Sequence, residues 1–241
     1  MNIDEGARET GLRAVRNINF DILLTKIKNI VPPGKRVLDV GCAHGWFLER
    51  AAKDYEVTGV EPDSAVFQKT VKKGLDVRNG YFPDAMVDSE KYDAIVFNDV
   101  IEHIPDIRKI LDACAGYLNA EGCLVLNLPN SKGVFYTVSK TLARLGVVSF
   151  FNRMWQKGLP SPHVHYFDSN NLIKLVNDHG FEEVYKGTLP ALTFSGLYTR
   201  ISYAGNQSFI AKMLMYVLIV AGLPFLKIMP SDIMYVIFRK K

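Results

Sequence analysis

Apolar side chains recur at helical spacing from Leu12 through Val15, Ile18, Ile22, Leu23, Ile27 and Ile30, which predicts a helix over 12–31. The "PPG" at 32–34 ends it, because proline offers no amide hydrogen. The period then changes. "RVLDV" (36–40) is nearly continuous in apolar residues, as a strand buried on both faces requires, and "WFLERAAK" (46–53) returns to the helical period. The alternation continues with a strand at 55–62, a helix at 64–73 stopped by Gly74, a short strand at 75–80 and an almost wholly apolar strand at 92–100. Asp106 caps a helix over 107–118, and a fifth strand follows at 122–129. Such alternation predicts an α/β fold with a doubly wound, mostly parallel sheet. Its ligand crevice belongs at the C-terminal ends of the strands, near the switch point, where Gly41, Glu61, Asn98 and Asn127 fall.

The pattern loosens after Pro129. Residues 131–165 are too long for an ordinary connection and read as one or two helices and a loop above the crevice. A capped helix runs from Asp168 to Gly180, a sixth strand covers 181–187, a second insertion spans 188–230, and "DIMYVIFRKK" closes a seven-stranded sheet. The expected division is a helical cap at 1–34, a cofactor-binding core at 35–130, a lid at 131–165, a core continuation at 166–187, an apolar helical insertion at 188–230 and a closing strand at 231–241. Met213–Leu226 is a run of 14 uncharged residues, interrupted by Gly222 and Pro224, whereas a membrane span needs roughly 18 or more. A buried helix, helices lying on a membrane surface through 209–230, and a span remain alternatives.

Composition narrows the function classes. Of 241 residues, 48% are hydrophobic, enough for a substantial core and against disorder. With 29 Lys+Arg against 25 Asp+Glu, the net charge of +4 and the lack of a dense basic patch argue against a nucleic-acid partner. Cys42, Cys114 and Cys123 have no metal-ligand spacing and read as reduced core residues. The acidic, polar "MNIDEGARETG" does not read as a secretion signal, so the expected location is cytoplasmic, with peripheral contact at the inner face of a membrane as its extension.

Gly41 permits a sharp turn after the first strand, and Gly45 permits close backbone approach to a ligand at the start of the next helix. Glu61 ends the second strand 20 positions after Gly41, where a carboxylate can take both hydroxyls of a ribose. The run Gly41-Cys42-Ala43-His44-Gly45 lacks the middle glycine that makes room for a pyrophosphate, and Asp39 adds negative charge. Both features favour a nucleoside cofactor without phosphates.

"VLDVGCAHGWFL" resembles the first motif of class I S-adenosylmethionine-dependent methyltransferases. "VTGVEPD" resembles their second strand, "YDAIVFNDVIEHIPD" the signature after the fourth strand in small-molecule O-methyltransferases of the ubiquinone-biosynthesis type, and "LNAEGCLVLNLPN" the fifth-strand motif. "HVHYFDSNNLIKLVNDHGFEEV" is similar to a segment of the same group. The resemblance covers about residues 35–186 and implies S-adenosylmethionine bound by Asp39, Gly41, Cys42, Ala43, Gly45, Glu61, Pro62, Asn79 and Asn98. One departure concerns adenine: Asn79, Tyr81 or Phe82 stands where the family commonly has an acid.

The same resemblance places "NDVIEHIPD" beside the reacting methyl. Methyl transfer to a hydroxyl needs alignment and loss of a proton. His103 is the candidate base, with Asp99 beside it, and helix capping is its structural alternative. In ubiquinone-type relatives this motif is linked to a divalent metal such as Mg²⁺, and Asp99, Glu102 and His103 match those positions. His163, His165, Tyr136 and Trp155 are the candidate pocket residues, within an apolar wall that includes Phe135, Phe150, Phe151, Met154 and Phe194. The expected acceptor is a small or lipid-linked molecule, a saccharide, quinone or phenol. A non-catalytic scaffold docking a membrane or partner, and a nicotinamide-dependent oxidoreductase, are the alternatives. Oligomeric state is not legible in the sequence.

Overall fold

The computed structural model describes residues 5–193, 197–198, 201 and 208–241, with side chains from Leu12 onward, Lys227 excepted. Seven strands form one sheet: β1 (Arg36–Val40), β2 (Glu56–Glu61), β3 (Val77–Asn79), β4 (Tyr92–Asn98), β5 (Leu118–Pro129), β6 (Phe181–Leu189) and β7 (Ile233–Lys240). Their order is β3-β2-β1-β4-β5-β7-β6, and only β7 runs antiparallel, wedged between β5 and β6. The sheet is thus the mostly parallel one that the alternating pattern predicts.

Both faces are buried, and consecutive residues of each inner strand serve opposite layers. On β4, Ile95 and Phe97 pack with Leu38, Leu124 and Leu126 beneath α4 (Ile107–Tyr117) and α7 (Ser169–Asn177). Ala94 and Val96 join Val37, Val125 and Ile237 on the other face, against Leu23 and Ile27 of α1 (Glu5–Lys28) and Phe47 of α2 (Trp46–Ala51). At about 25 cal/mol per Å² of apolar surface, such fully enclosed side chains dominate the driving force for this fold. Asp63 caps α3 (Ser64–Val71) by accepting from the amides of Ala65 and Val66. Asp168 and Asn171 form a reciprocal capping box on α7.

The two insertions lie on the rim where the parallel strands end. α5 (Val134–Arg144) and α6 (Ser149–Met154) follow β5. Gly133 is required there, because a Cβ would collide with Asp232, just before β7. The second insertion carries α8 (Phe209–Ile228), a single helix of 20 residues begun by the Ser208 cap. Gly222 and Pro224 do not break it, contrary to the expected interruption. Pro224 forfeits one backbone bond and the rest of the ladder remains. The buried-helix alternative is also corrected: 6% of the Phe209–Leu226 window is buried, and the helix is long and apolar enough to cross a membrane.

Candidate functional site

The chain turns sharply where β1 ends. Gly41, Ala43 and Gly45 all have positive φ (70°, 46° and 72°), and the amides of Gly41 and Cys42 donate to Val60 O at 2.8 and 3.0 Å. The two glycines serve close packing. A Cβ at Gly41 would meet Val100 at 2.6 Å, and one at Gly45 would meet Leu75 and Thr70 at 2.6 and 2.7 Å. Gly41 therefore lets the turn after β4 close against the turn after β1.

Over these turns lies a cavity of about 590 Å³, lined by Asp39, Gly41, Cys42, Ala43, His44, Trp46 and Asn98 together with Leu12, Arg16 and Phe20 of α1. The Asp39 carboxylate is 2% exposed and accepts from Asn98 Nδ2 at 3.2 Å. Burial pushes its pKa up to about 7, against the pull of that hydrogen bond. Asn127 Nδ2 in turn donates to Asn98 Oδ1 at 3.3 Å, so one polar chain crosses β5, β4 and β1 at their C-terminal ends. Burial likewise holds the Cys42 thiol protonated. The buried indole N–H of Trp46 has no protein partner. These groups fit the zwitterionic end of S-adenosylmethionine: a carboxylate for its ammonium, and the Arg16 guanidinium and an unspent N–H for its carboxylate.

Glu61 is placed beside the glycine turn but outside the cavity lining. Its carboxylate accepts from the amides of Ala43 at 2.9 Å and Asp63 at 2.8 Å, bracing the two turns against each other. Asn79 commits its amide to the same brace, donating to Glu61 O at 2.9 Å and accepting from Ser64 Oγ at 2.9 Å. Pro62 lies exposed between them. Of the other residues at the adenine position, Phe82 is buried against Phe97, whereas Tyr81 is 73% exposed.

After β4, Asp99 adopts φ 54° and its carboxylate pairs with Arg16 at 3.0 Å. Ile101–His103 form one 3₁₀ turn. His103 Nδ1 lies 3.0 Å from Pro162 O and 3.2 Å from Ser161 Oγ. A carbonyl only accepts, so Nδ1 is the donor in that contact. His163 and His165 are not in a strand. Their segment is held to the turn by the amides of Val164 and His165, which donate to Glu102 O at 2.9 and 3.1 Å. His165 Nε2 then donates to Pro105 O at 3.2 Å, while the His163 ring lies 4.7 Å from that of His103. Of the expected trio, Asp99 pairs with Arg16, while donor atoms of Glu102, His103 and His163 lie within 4.8 Å of one another.

Tyr136, Phe151, Trp155 and Tyr166 pack as one aromatic cluster, with Tyr136 and Tyr166 rings 4.3 Å apart and the Trp155 and Tyr166 rings 5.1 Å apart. His163 joins it through Tyr166 at 5.5 Å. Phe135 and Phe150 are exposed instead, and Phe194 lies outside the described residues. Beyond the cluster, a second cavity of about 380 Å³ sits at the ends of β6 and β7, between Val134 and Phe135 of α5, Leu223 and Leu226 of α8, and Asp232. α1 was missed as a source of site residues: nothing in its period distinguishes Leu12, Arg16 and Phe20 from core and surface positions.

Residues 14–186 match a family described as a methyltransferase domain. The chain is similar to the ubiquinone biosynthesis O-methyltransferase of Haemophilus ducreyi, 29% identical over 127 residues, which covers 47% of this chain and 52% of that protein. It is 32% identical over 121 residues to that of Actinobacillus pleuropneumoniae serotype 7, covering 45% and 48%. The chain spans about half the length of the curated relatives it matches. Among solved structures, a possible histamine N-methyltransferase from Thermotoga maritima superposes with a TM-score of 0.62 at 16% identity, covering 99% of this chain and 95% of that one. A magnesium protoporphyrin IX methyltransferase from Synechocystis PCC 6803 with bound SAH does so with a TM-score of 0.59 at 14% identity, covering 100% and 89%. These likenesses are in fold. The sheet order, the turn after β1 and the match over 14–186 lead to one conclusion: this is a class I S-adenosylmethionine-dependent methyltransferase fold, and the chain belongs to the methyltransferase domain family.

Proposed function

We propose that this protein transfers a methyl group from S-adenosylmethionine to a hydroxyl of a small or lipid-linked acceptor, a saccharide, quinone or phenol. The observation that carries the reading is the cavity over Asp39, with Arg16 on its other wall and the turn after β4 closed against its floor. The similarity to ubiquinone biosynthesis O-methyltransferases supports oxygen as the acceptor atom.

When bound, the cofactor supplies an electrophilic methyl on its sulfonium. The protein's own work is placement, dehydration and proton management. Asp39 and Arg16 fix the charged tail, and Asn98, tied to Asp39, sets the rim beside it. His103 carries its proton on Nδ1 toward Pro162, so Nε2 is the nitrogen that takes the hydroxyl proton. The cluster of Tyr136, Phe151, Trp155 and Tyr166 excludes water from that side and gives an aromatic or isoprenoid group a surface to lie on.

α8 supports the lipid-linked form of the acceptor. A helix apolar on all sides is ordinarily enclosed by protein or lipid. Here Leu214, Leu218, Phe225 and Ile228 are 61–83% exposed, and at 1.5 Å per residue the 20 residues reach about 30 Å, the depth of a bilayer's hydrocarbon. The occupant proposed for this surface is a lipid bilayer, at the cytoplasmic side. The cavity beneath Leu223 and Leu226 would then receive an apolar chain.

The test is incubation of the purified protein with radiolabelled S-adenosylmethionine and a panel of phenols, quinols and lipid-linked saccharides. Methyl transfer to a hydroxyl is the expected result. Transfer to amines alone would overturn the O-methyl reading, and cofactor binding without turnover on any acceptor would favour a scaffold role.

A further inference from the structure

One cation faces three carboxyl groups where the cofactor cavity meets the turn after β4. Arg16 of α1 lines the cavity beside Asp39, and its Nη2 lies 3.0 Å from Asp99 Oδ2. Its charge also acts on Asp39 and on the enclosed Glu102, in each case against the upward pull of burial on the carboxyl pKa. The three acids differ in their freedom to move. Asp39 is 2% exposed and tied to Asn98, and Glu102 is 1% exposed. The Asp99–Arg16 pair is part-exposed on both sides, with the two side chains at 29% and 33%. Asp99 is thus the one of the three that can turn into water. Its ion pair is not needed to hold α1 in place. Arg13 pairs with Glu49 at 2.6 Å, Asp21 pairs with Arg50, and Leu23 and Ile27 are fully buried in the core.

We propose that Arg16 exchanges partners when the cofactor binds: Asp99 holds the guanidinium while the cavity is empty, and the cofactor's carboxylate displaces it. This rests on the reading that Arg16 receives the charged tail of S-adenosylmethionine. Charge balance favours the exchange. The incoming tail is a zwitterion. Its ammonium goes to Asp39, which leaves its carboxylate to be matched. A guanidinium already facing three acids would then face a fourth, and like charges gathered round one cation repel each other. The most loosely held acid gives way. A part-exposed ion pair shifts an equilibrium by less than about fivefold, because water screens it and two side chains must be ordered. A charge-assisted hydrogen bond to a carboxylate inside a cavity contributes about tenfold or more. The cofactor therefore wins Arg16. Asp99 stands in for the missing carboxylate, and its release gives the turn that carries His103 a free carboxylate only when the methyl donor is present.

The experiment is calorimetric binding of two probes to the parent, D99N, R16A and the double variant. S-Adenosylhomocysteine has the zwitterionic tail. 5′-Methylthioadenosine shares its nucleoside and sulfur but has no carboxylate. Expected in D99N is a gain in S-adenosylhomocysteine affinity of about two- to fivefold, and in R16A a loss of about 10–100-fold. Once Arg16 is gone, D99N should have no effect. Affinity for 5′-methylthioadenosine should stay at the parental value throughout. D99N should melt close to the parent, since the other pairs keep α1 docked, and R16Q replaces R16A should the latter fold poorly. S-Adenosylhomocysteine affinity that is unchanged or weaker in D99N would overturn the exchange, the weaker case making Asp99 a support for Arg16. So would a gain that persists without Arg16, or one shared by 5′-methylthioadenosine. Failure of the underlying reading looks different: R16A would then bind S-adenosylhomocysteine as the parent does.

Discussion

Asn98 at the end of β4 donates its side-chain amide to Asp39 at the end of β1, and this bond is what keeps a fully buried carboxylate from rising still further in pKa. Asp39 titrates near 7 when folded and near 3.8 when unfolded, so between those values the folded protein holds a proton that the unfolded chain has lost. Stability due to this group is therefore greatest below about pH 4 and is withdrawn as pH rises to 7, on the order of 4 kcal/mol at about 1.4 kcal/mol per unit. A bound ammonium reverses the preference. Affinity for S-adenosylhomocysteine should rise with pH through about 7, D39N should flatten that rise, and N98A should move its midpoint upward. Calorimetry over a pH series checks all three, with Arg16 and Glu61 as the other charges facing Asp39. A flat wild-type profile would remove Asp39 from cofactor recognition.

Glu61 has two duties that separate experimentally. E61A loses the acceptors of the Ala43 and Asp63 amides and should lower the melting temperature of the ligand-free protein. If the carboxylate also reaches the ribose, cofactor affinity falls by a further 1.5–3 kcal/mol, roughly the value of charge-assisted hydrogen bonds. Unchanged affinity in a folded E61A protein would leave Glu61 with the bracing role alone.

His103→Ala should leave S-adenosylhomocysteine affinity nearly intact and lower turnover by about 10²–10⁴-fold, the usual worth of a positioned base. H103A with parental turnover in a folded protein would end the general-base assignment.

Leu214→Glu together with Leu218→Glu should abolish flotation of the protein with phospholipid vesicles without altering S-adenosylhomocysteine affinity. Both side chains are exposed and lie outside the cofactor cavity. Vesicle binding that survives the double substitution would place the lipid contact elsewhere.

The parts of the site that lie in one stretch of chain were legible in the sequence. β1 with its turn, and β4 with the turn through His103, are short apolar runs ending in polar residues, and their alternation with helices predicts a doubly wound, mostly parallel sheet. What was not legible depends on distant segments meeting. Arg16 reaches Asp99 from a helix whose period gives no reason to single it out, so their ion pair has no signal in the sequence. His163 meets Glu102 because backbone amides of an irregular loop dock on a carbonyl, a contact with no periodicity. Glu61 and Asn79 were correctly placed at strand ends, yet strand ends do not say whether a side chain turns to a ligand or to the backbone next door. In α8, Gly222 and Pro224 were read as breakers by residue type, and 20 residues of continuous backbone bonding outweighed two poor helix formers.

The position of β7 bears on how the chain emerges from a ribosome. Five parallel strands can pair as soon as they are made, but β7, the seventh in sequence, fills the gap between β5 and β6. Until it arrives, β5 presents an open, strongly apolar edge, and β6 has no neighbour. The insertion carrying α8 lies between β6 and β7, so the most lipophilic helix leaves the exit tunnel before the sheet is sealed. Completion of the sheet thus waits on the emergence of α8, and a pause in synthesis before residue 233 would leave an intermediate prone to self-association.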